Sequence, residues 1–198
     1  MTINSTIEYE SYSNIERLNT LMARISLAKN IKEGFRVKRW SSLNEYPIFY
    51  ALIALYEIDN VIECGTNAGC SALSFAAGLQ NTGKPGQVYT WDIDSINGVD
   101  EGTNLAPRIV RTLQSFSKSE ITRPAGKLLI FIDGDHSYES ALIDLRHTLN
   151  FIESGDVLVV HDVFKQPEVK DAINMFLKDY SKKYKEIPSS TGIGVIEW

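Results

Sequence analysis

The sequence predicts an α/β fold: one doubly wound, mostly parallel, seven-stranded sheet with extra helices at the N-terminus. Two observations predict it. Apolar strand-like runs alternate with amphipathic helical segments from about residue 45 to the C-terminus. The runs are also near-continuously apolar rather than alternating, as expected of parallel strands covered on both faces.

The elements follow in order. Ser13-Asn14-Ile15-Glu16 has capping-box spacing. Ile15, Leu18, Leu21, Met22 and Ile25 recur behind it at helical intervals, which predicts an amphipathic helix ending near Gly34. A buried helix is expected from Pro47, a residue favoured in the first turn, through Leu55. "NVIEC" (60–64) reads as a strand, Ser71–Leu79 as a helix and "QVYTWD" (87–92) as a second strand rich in β-branched and aromatic residues. A third strand is expected at "RIVRTL" and a fourth, fully buried, at "KLLIFID". A helix is expected from Ser137 to Glu153, with Leu142, Leu145, Leu149 and Ile152 on one face and Gly155 as its stop. "DVLVVHD" is the fifth strand. A helix from Pro167 to Tyr184 and closing strands at "KEIP" and "GIGVIEW" complete the reading. Residues 1–44 are expected to form a helical cap on a domain spanning 45–198.

Composition narrows the function. No apolar run approaches the roughly 20 residues that span a bilayer, and the polar, acidic N-terminus is no secretory or transit signal. Cys64 and Cys70 flank a glycine loop that a crosslink would distort, so both are read as reduced thiols of a cytoplasmic protein. A net charge of -5 argues against nucleic-acid binding. The basic-aromatic cluster Lys32, Phe35, Arg36, Lys38, Arg39 and Trp40 reads as a solvated face, with an anion site as the alternative. A homo-oligomer is compatible with the sequence.

Polar residues gather where the strands end. The first strand ends at Glu63 and a glycine loop, the second at Asp92, the fourth at Asp133-Gly134-Asp135-His136 and the fifth at His161-Asp162. Singly, such acids also cap the helices that follow. In doubly wound sheets, however, ligands bind beyond the carboxyl ends of the strands. The loop itself is Gly65-x-x-x-Gly69, with Thr66 and Asn67 where a dinucleotide fingerprint wants glycine, and Cys70 where a P-loop wants lysine. A pyrophosphate is therefore disfavoured. Backbone N–H groups at the helix start, with Ser71, suit a carboxylate, and Asp92 is placed to accept from ribose hydroxyls. Together they describe a nucleoside carrying an amino-acid tail.

"VIECGTNAGCSAL", "VYTWDID", "LLIFIDGDHSYE" and "DVLVVHDV" resemble, in order and spacing, successive motifs of class I S-adenosylmethionine-dependent methyltransferases, over residues 45–198. The nearest likeness is to the small-molecule O-methyltransferases of the catechol and macrolide-sugar type, on a Rossmann-like methyltransferase fold. The resemblance implies that Gly65, Thr66, Asn67, Gly69 and Ser71 line the methionine part of the cofactor, with Glu63 organising the loop. It also implies that Asp92 holds the ribose, and that Ser115 or Ser117 and the Gly134 backbone lie near the adenine. In the metal-dependent branch Mg²⁺ would sit on Asp133, His161 and Asp162. A His in that set departs from the hard oxygen ligands Mg²⁺ prefers, so it either stands outside the shell or suits a softer ion. His136 is the favoured base, with Asp135 competing for the role. The expected reaction is O-methylation of a small-molecule hydroxyl on a sugar, polyol or phenol. A nicotinamide-dependent oxidoreductase and a non-catalytic nucleoside-binding module are the alternatives.

Overall fold

The structure is a computed structural model and describes residues 45–94 and 104–198. The expected N-terminal helix, the 32–40 cluster and the proposed 1–44 cap lie outside the described residues.

The described chain runs α1 (Tyr46–Leu55), β1 (Asn60–Cys64), α2 (Cys70–Asn81), β2 (Val88–Asp92), β3 (Ile109–Leu113), β4 (Leu128–Ile132), α3 (Tyr138–His147), β5 (Val157–Val160), α4 (Pro167–Lys178), β6 (Lys183–Ile187) and β7 (Ile193–Glu197). The seven strands form one sheet in the order β3-β2-β1-β4-β5-β7-β6. β1 to β5 are parallel, and β7 enters antiparallel between β5 and β6. The α/β, doubly wound expectation holds.

Alternate residues of the buried strands feed two cores, one on each face. Val61, Leu129, Phe131 and Val159 point to the face covered by α1 and α2. Ile62, Leu128, Ile130 and Leu158 point to the face covered by α3 and α4. α1 is buried on nearly all sides, as its unbroken apolar run requires. It lies so close to α2 that a Cβ on Gly78 would meet Ile53 Cγ1 at 2.8 Å and the Tyr50 carbonyl at 2.9 Å. α4 is the amphipathic case: Val169, Ala172, Ile173 and Phe176 recur on its buried face.

Two boundaries differ from the sequence reading. α3 ends at His147 and passes into a 3-10 turn, Thr148–Asn150, rather than running to Glu153. Thr148 is buried and its hydroxyl bonds back to the Leu145 carbonyl at 2.7 Å, so local side-chain chemistry closes the helix before the apolar period ends. α4 stops at Lys178 rather than Tyr184, because residues 183–187 pair with β7. That non-local pairing overrides the helical reading of the charged stretch 178–186.

The strand order places a topological switch between β1 and β4: from β1 the chain winds through β2 to β3, then returns to β4 on β1's other side. The crevice beyond the carboxyl ends of β1 and β4 is where such a sheet takes a ligand.

Candidate active site

A cleft of about 520 Å³ opens at that switch, between the ends of β1, β2 and β4 and the loop after β3. Of the residues expected to bind cofactor, Gly65, Asn67, Asp92, Ser115 and Gly134 line it. Asp92 is fixed at the mouth by the backbone N–H groups of Asn67 (2.7 Å) and Asp94 (3.0 Å). Ser117, also expected near the adenine, lines the same wall.

Glu63, Thr66, Gly69 and Ser71 do not line the cleft; they build the loop that does. The Thr66 and Thr90 hydroxyls pair at 2.6 Å beneath it. Ser71 turns inward and donates to Glu63 Oε1 at 2.5 Å, so its hydroxyl is not offered to a ligand carboxylate as the sequence suggested. Gly69 supplies the left-handed turn (φ 80°) that starts α2. Gly65 has a reason the sequence did not show: at φ 95° it packs so tightly on β4 that a Cβ would stand 2.1 Å from the Asp133 carbonyl oxygen.

Glu63 is fully buried, and burial, only partly offset by the Ser71 hydroxyl, pushes its carboxyl up to about 8. An unfolded glutamate loses its proton near 4.5. Between those values the folded protein binds the extra proton, so stability falls as pH rises from about 4.5 to 8. Glu63→Gln retains an acceptor for Ser71 and removes the titration. Thermal melts of this variant should lose most of the wild-type decline in Tm between about pH 4.5 and 6.5, below the window in which His136 and His161 contribute; an unchanged decline there would place the titration elsewhere.

The cleft was missed by sequence reasoning on one side. Trp91, Phe116 and Ile143 supply apolar wall, and Asp144 and Cys64 meet at the base, the thiol donating to Asp144 Oδ2 at 3.4 Å. Among the described residues the acids of the lining are Asp92, Asp94, Asp133, Asp135 and Asp144, and none of the lining is Lys, Arg or His. Such a wall repels a pyrophosphate and favours a cationic ligand.

Beyond β4 and β5 the acids meet the histidines. His136 Nε2 lies 3.4 Å from Asp133 Oδ1 and 3.0 Å from Asp162 Oδ2. Hydrogen bonds to Asp133 and Asp162 outweigh partial burial and raise the His136 ring to about 9. Asp162 adopts a left-handed backbone (φ 62°), and its buried Oδ1 has no hydrogen-bond partner among the described residues, with His161 Nδ1 3.7 Å away. Asp133, His136 and Asp162 together have ligand atoms close enough to share a metal ion.

His161 is not in that set. Its ring is buried, with Nδ1 3.0 Å from Asp133 Oδ1 and Nε2 3.1 Å from Glu45 Oε2. With both of its nitrogens committed, His161 is not placed as the ligand that the resemblance implied. Burial opposes charge on the His161 ring, yet Asp133, Glu45 and Asp162 raise it to about 10. Asp135, the competing base, is tied to the start of α3, which Ser137 caps: it accepts from the Ser140 hydroxyl and from the Ser137 N–H and hydroxyl, which hold its pKa down. A carboxylate so engaged is a poor proton acceptor. Glu45 was not singled out by sequence reasoning, and no local pattern marks it.

Residues 62–163, about half of the chain, match the family model described as a methyltransferase domain. The chain belongs to that family. A rhamnosyl O-methyltransferase of Mycobacterium tuberculosis is 28% identical over 136 residues, covering 62% of this chain and 53% of that protein. The chain thus spans about half the length of the curated relatives it matches. Among solved structures, an O-methyltransferase from Bacillus cereus in complex with S-adenosylhomocysteine superposes with a TM-score of 0.62 at 18% identity, over 92% of this chain and 91% of that one. CalS11, a TDP-rhamnose 3'-O-methyltransferase of calicheamicin biosynthesis, gives 0.61 at 16% identity, over 100% and 97%. At these identities the structures establish a shared Rossmann-like methyltransferase fold. No helix among the described residues is long and apolar enough to cross a membrane.

Proposed function

We propose that this methyltransferase domain binds S-adenosylmethionine in the acid-lined cleft and moves its methyl group to a hydroxyl of a small molecule, specifically a sugar. The observation that carries the reading is the cleft's charge: among the described residues five aspartates and no basic residue line it, which suits a cationic sulfonium and amine and opposes a dinucleotide. The rhamnosyl and TDP-rhamnose relatives support a sugar acceptor.

Bound there, S-adenosylmethionine supplies an electrophilic methyl. The chain's part is to hold the acceptor oxygen in line with it, which is where most of the acceleration arises. Asp92 fits the ribose hydroxyls, and Ser115, Ser117 and Asp144 the far end of the nucleoside. His136, at the cluster beyond β4, takes the acceptor's proton at Nε2. A divalent cation fits the same cluster, held by Asp133 and Asp162, and the buried Asp162 Oδ1, which accepts no hydrogen bond from the described residues, favours one. Such an ion would lower the pKa of the acceptor hydroxyl.

Isothermal titration calorimetry with S-adenosylhomocysteine, with and without Mg²⁺ and with NAD as control, tests the reading. Micromolar binding of the first and none of NAD is expected. Binding of NAD instead, or of neither, would overturn it.

A further inference from the structure

We propose that Glu45 and His161 are positioning residues, a buried pair that orients the Asp133 carboxylate and ties the turn between β6 and β7 to it. The inference rests on the methyl-transfer reading for what Asp133 does, and on the geometry alone for the pair itself.

The atoms divide their duties. Glu45 is fully buried at the start of α1. Its Oε1 accepts every bond from the turn: the Ser189 hydroxyl at 2.6 Å, the Ser190 hydroxyl at 3.2 Å, and the Thr191 hydroxyl and N–H at 2.7 and 3.1 Å. Its Oε2 faces His161 Nε2 at 3.1 Å. The Thr191 hydroxyl donates to Glu45, so its lone pair is free for the same Nε2, 3.0 Å away. The other ring nitrogen reaches Asp133 Oδ1 at 3.0 Å. Phe49 packs edge-on and Phe131 tilted against the imidazole, centroids 5.8 and 6.0 Å away.

A clamp for the turn needs only Glu45 Oε1 and the three hydroxyls. The ring touches the turn at one point, through Nε2 and the Thr191 hydroxyl; its other nitrogen faces Asp133 Oδ1 at 3.0 Å, with Asp162 Oδ1 3.7 Å away. Burying a carboxylate and a charged ring costs more than filling the same space with apolar side chains, so stability alone does not account for the arrangement. What it does is fix one oxygen of Asp133 from below while the carboxylate borders the cleft. The turn bears on the same edge: the Thr191 carbonyl accepts from the Phe164 and Lys165 N–H groups, just past Asp162. Glu45 therefore couples α1, the β6–β7 turn and the loop after β5 to the reacting side of the site.

The test has two arms on the full chain. In the first, ¹⁵N-histidine NMR should show two exchange-protected, downfield ring N–H signals from His161. Asp133→Asn should shift the Nδ1 signal, and Glu45→Gln the Nε2 signal. Absence of protected signals in the wild type, or insensitivity to both substitutions, overturns the pair. In the second, methyl transfer from S-adenosylmethionine to p-nitrophenyl α-L-rhamnoside is followed. Glu45→Gln and His161→Ala should lower kcat by about 10- to 100-fold with S-adenosylhomocysteine affinity unchanged within about twofold. His161→Asn, which can still donate to Asp133, should recover part of the loss. Full turnover in Glu45→Gln, or a matching loss of cofactor affinity, overturns the positioning role. No turnover by the wild type would overturn the sugar reading instead, and the NMR arm would still decide the pair.

Discussion

His136→Ala is expected to lower the rate of methyl transfer by about 10²- to 10⁴-fold, the usual contribution of a positioned general base. S-adenosylhomocysteine affinity should be unchanged, because His136 is not among the residues lining the cofactor cleft. The pH dependence carries the sharper information. Asp133 and Asp162 raise the ring to about 9, so at neutral pH most of the free protein holds the proton that a base must lack. Turnover should therefore climb with pH toward about 9, and the variant's residual rate should lose that limb. The sign for stability is opposite. A ring raised above its ordinary 6.5 contributes stability that is complete below that value and is lost as pH rises through about 9. Rate and stability thus move in opposite directions over the same window, which kinetics and thermal melts on one set of buffers would show. A flat rate profile with turnover retained in His136→Ala would remove His136 from the chemistry.

Gly65→Ala should be the most damaging substitution for the fold of the site. A left-handed backbone costs an alanine about 1–2 kcal/mol, and here the methyl carbon would also stand 2.1 Å from the Asp133 carbonyl oxygen. That neighbour is backbone at the end of β4, so relief requires the loop after β1 to part from β4. A loss of about 4 kcal/mol or more is expected, in the range reserved for strain and overpacking combined. For a chain of this size it lowers Tm by roughly 10 °C. S-adenosylhomocysteine binding should fall with it, since Gly65 and Gly134 form one wall of the cleft. A Tm within about 3 °C of wild type and normal cofactor affinity would show that the two strand ends can separate without cost.

The two substitutions divide what the chain itself reveals. The glycine loop, the strand-end acids and the order of elements are local patterns, each carried by a few consecutive residues. They were legible because backbone conformation and side-chain period are local properties. The fold class, the position of the cleft and the wall residues Gly65, Asn67 and Asp92 came from them; Ser115 and Gly134 came from the family resemblance. The helix ends were less legible. α3 closes on the Thr148 hydroxyl, and the tail of α4 gives way to a strand paired with β7.

The side-chain partnerships were not legible at all. Ser71 looked like a ligand donor because it opens a helix after glycines, but Glu63 claims its hydroxyl. His161 looked like a metal ligand because it ends β5 beside Asp162, but Glu45, 116 residues away, takes one nitrogen and Asp133 the other. Asp135 looked like a base, but the Ser137 and Ser140 hydroxyls claim its carboxylate. By itself the sequence determined which chemistry the chain carries and on which edge of the sheet. Only the tertiary structure decided which of those groups face the cleft and which face one another. A hydrogen bond is chosen by distance in space, and residues 45, 133, 161 and 191 become neighbours only once the sheet has formed.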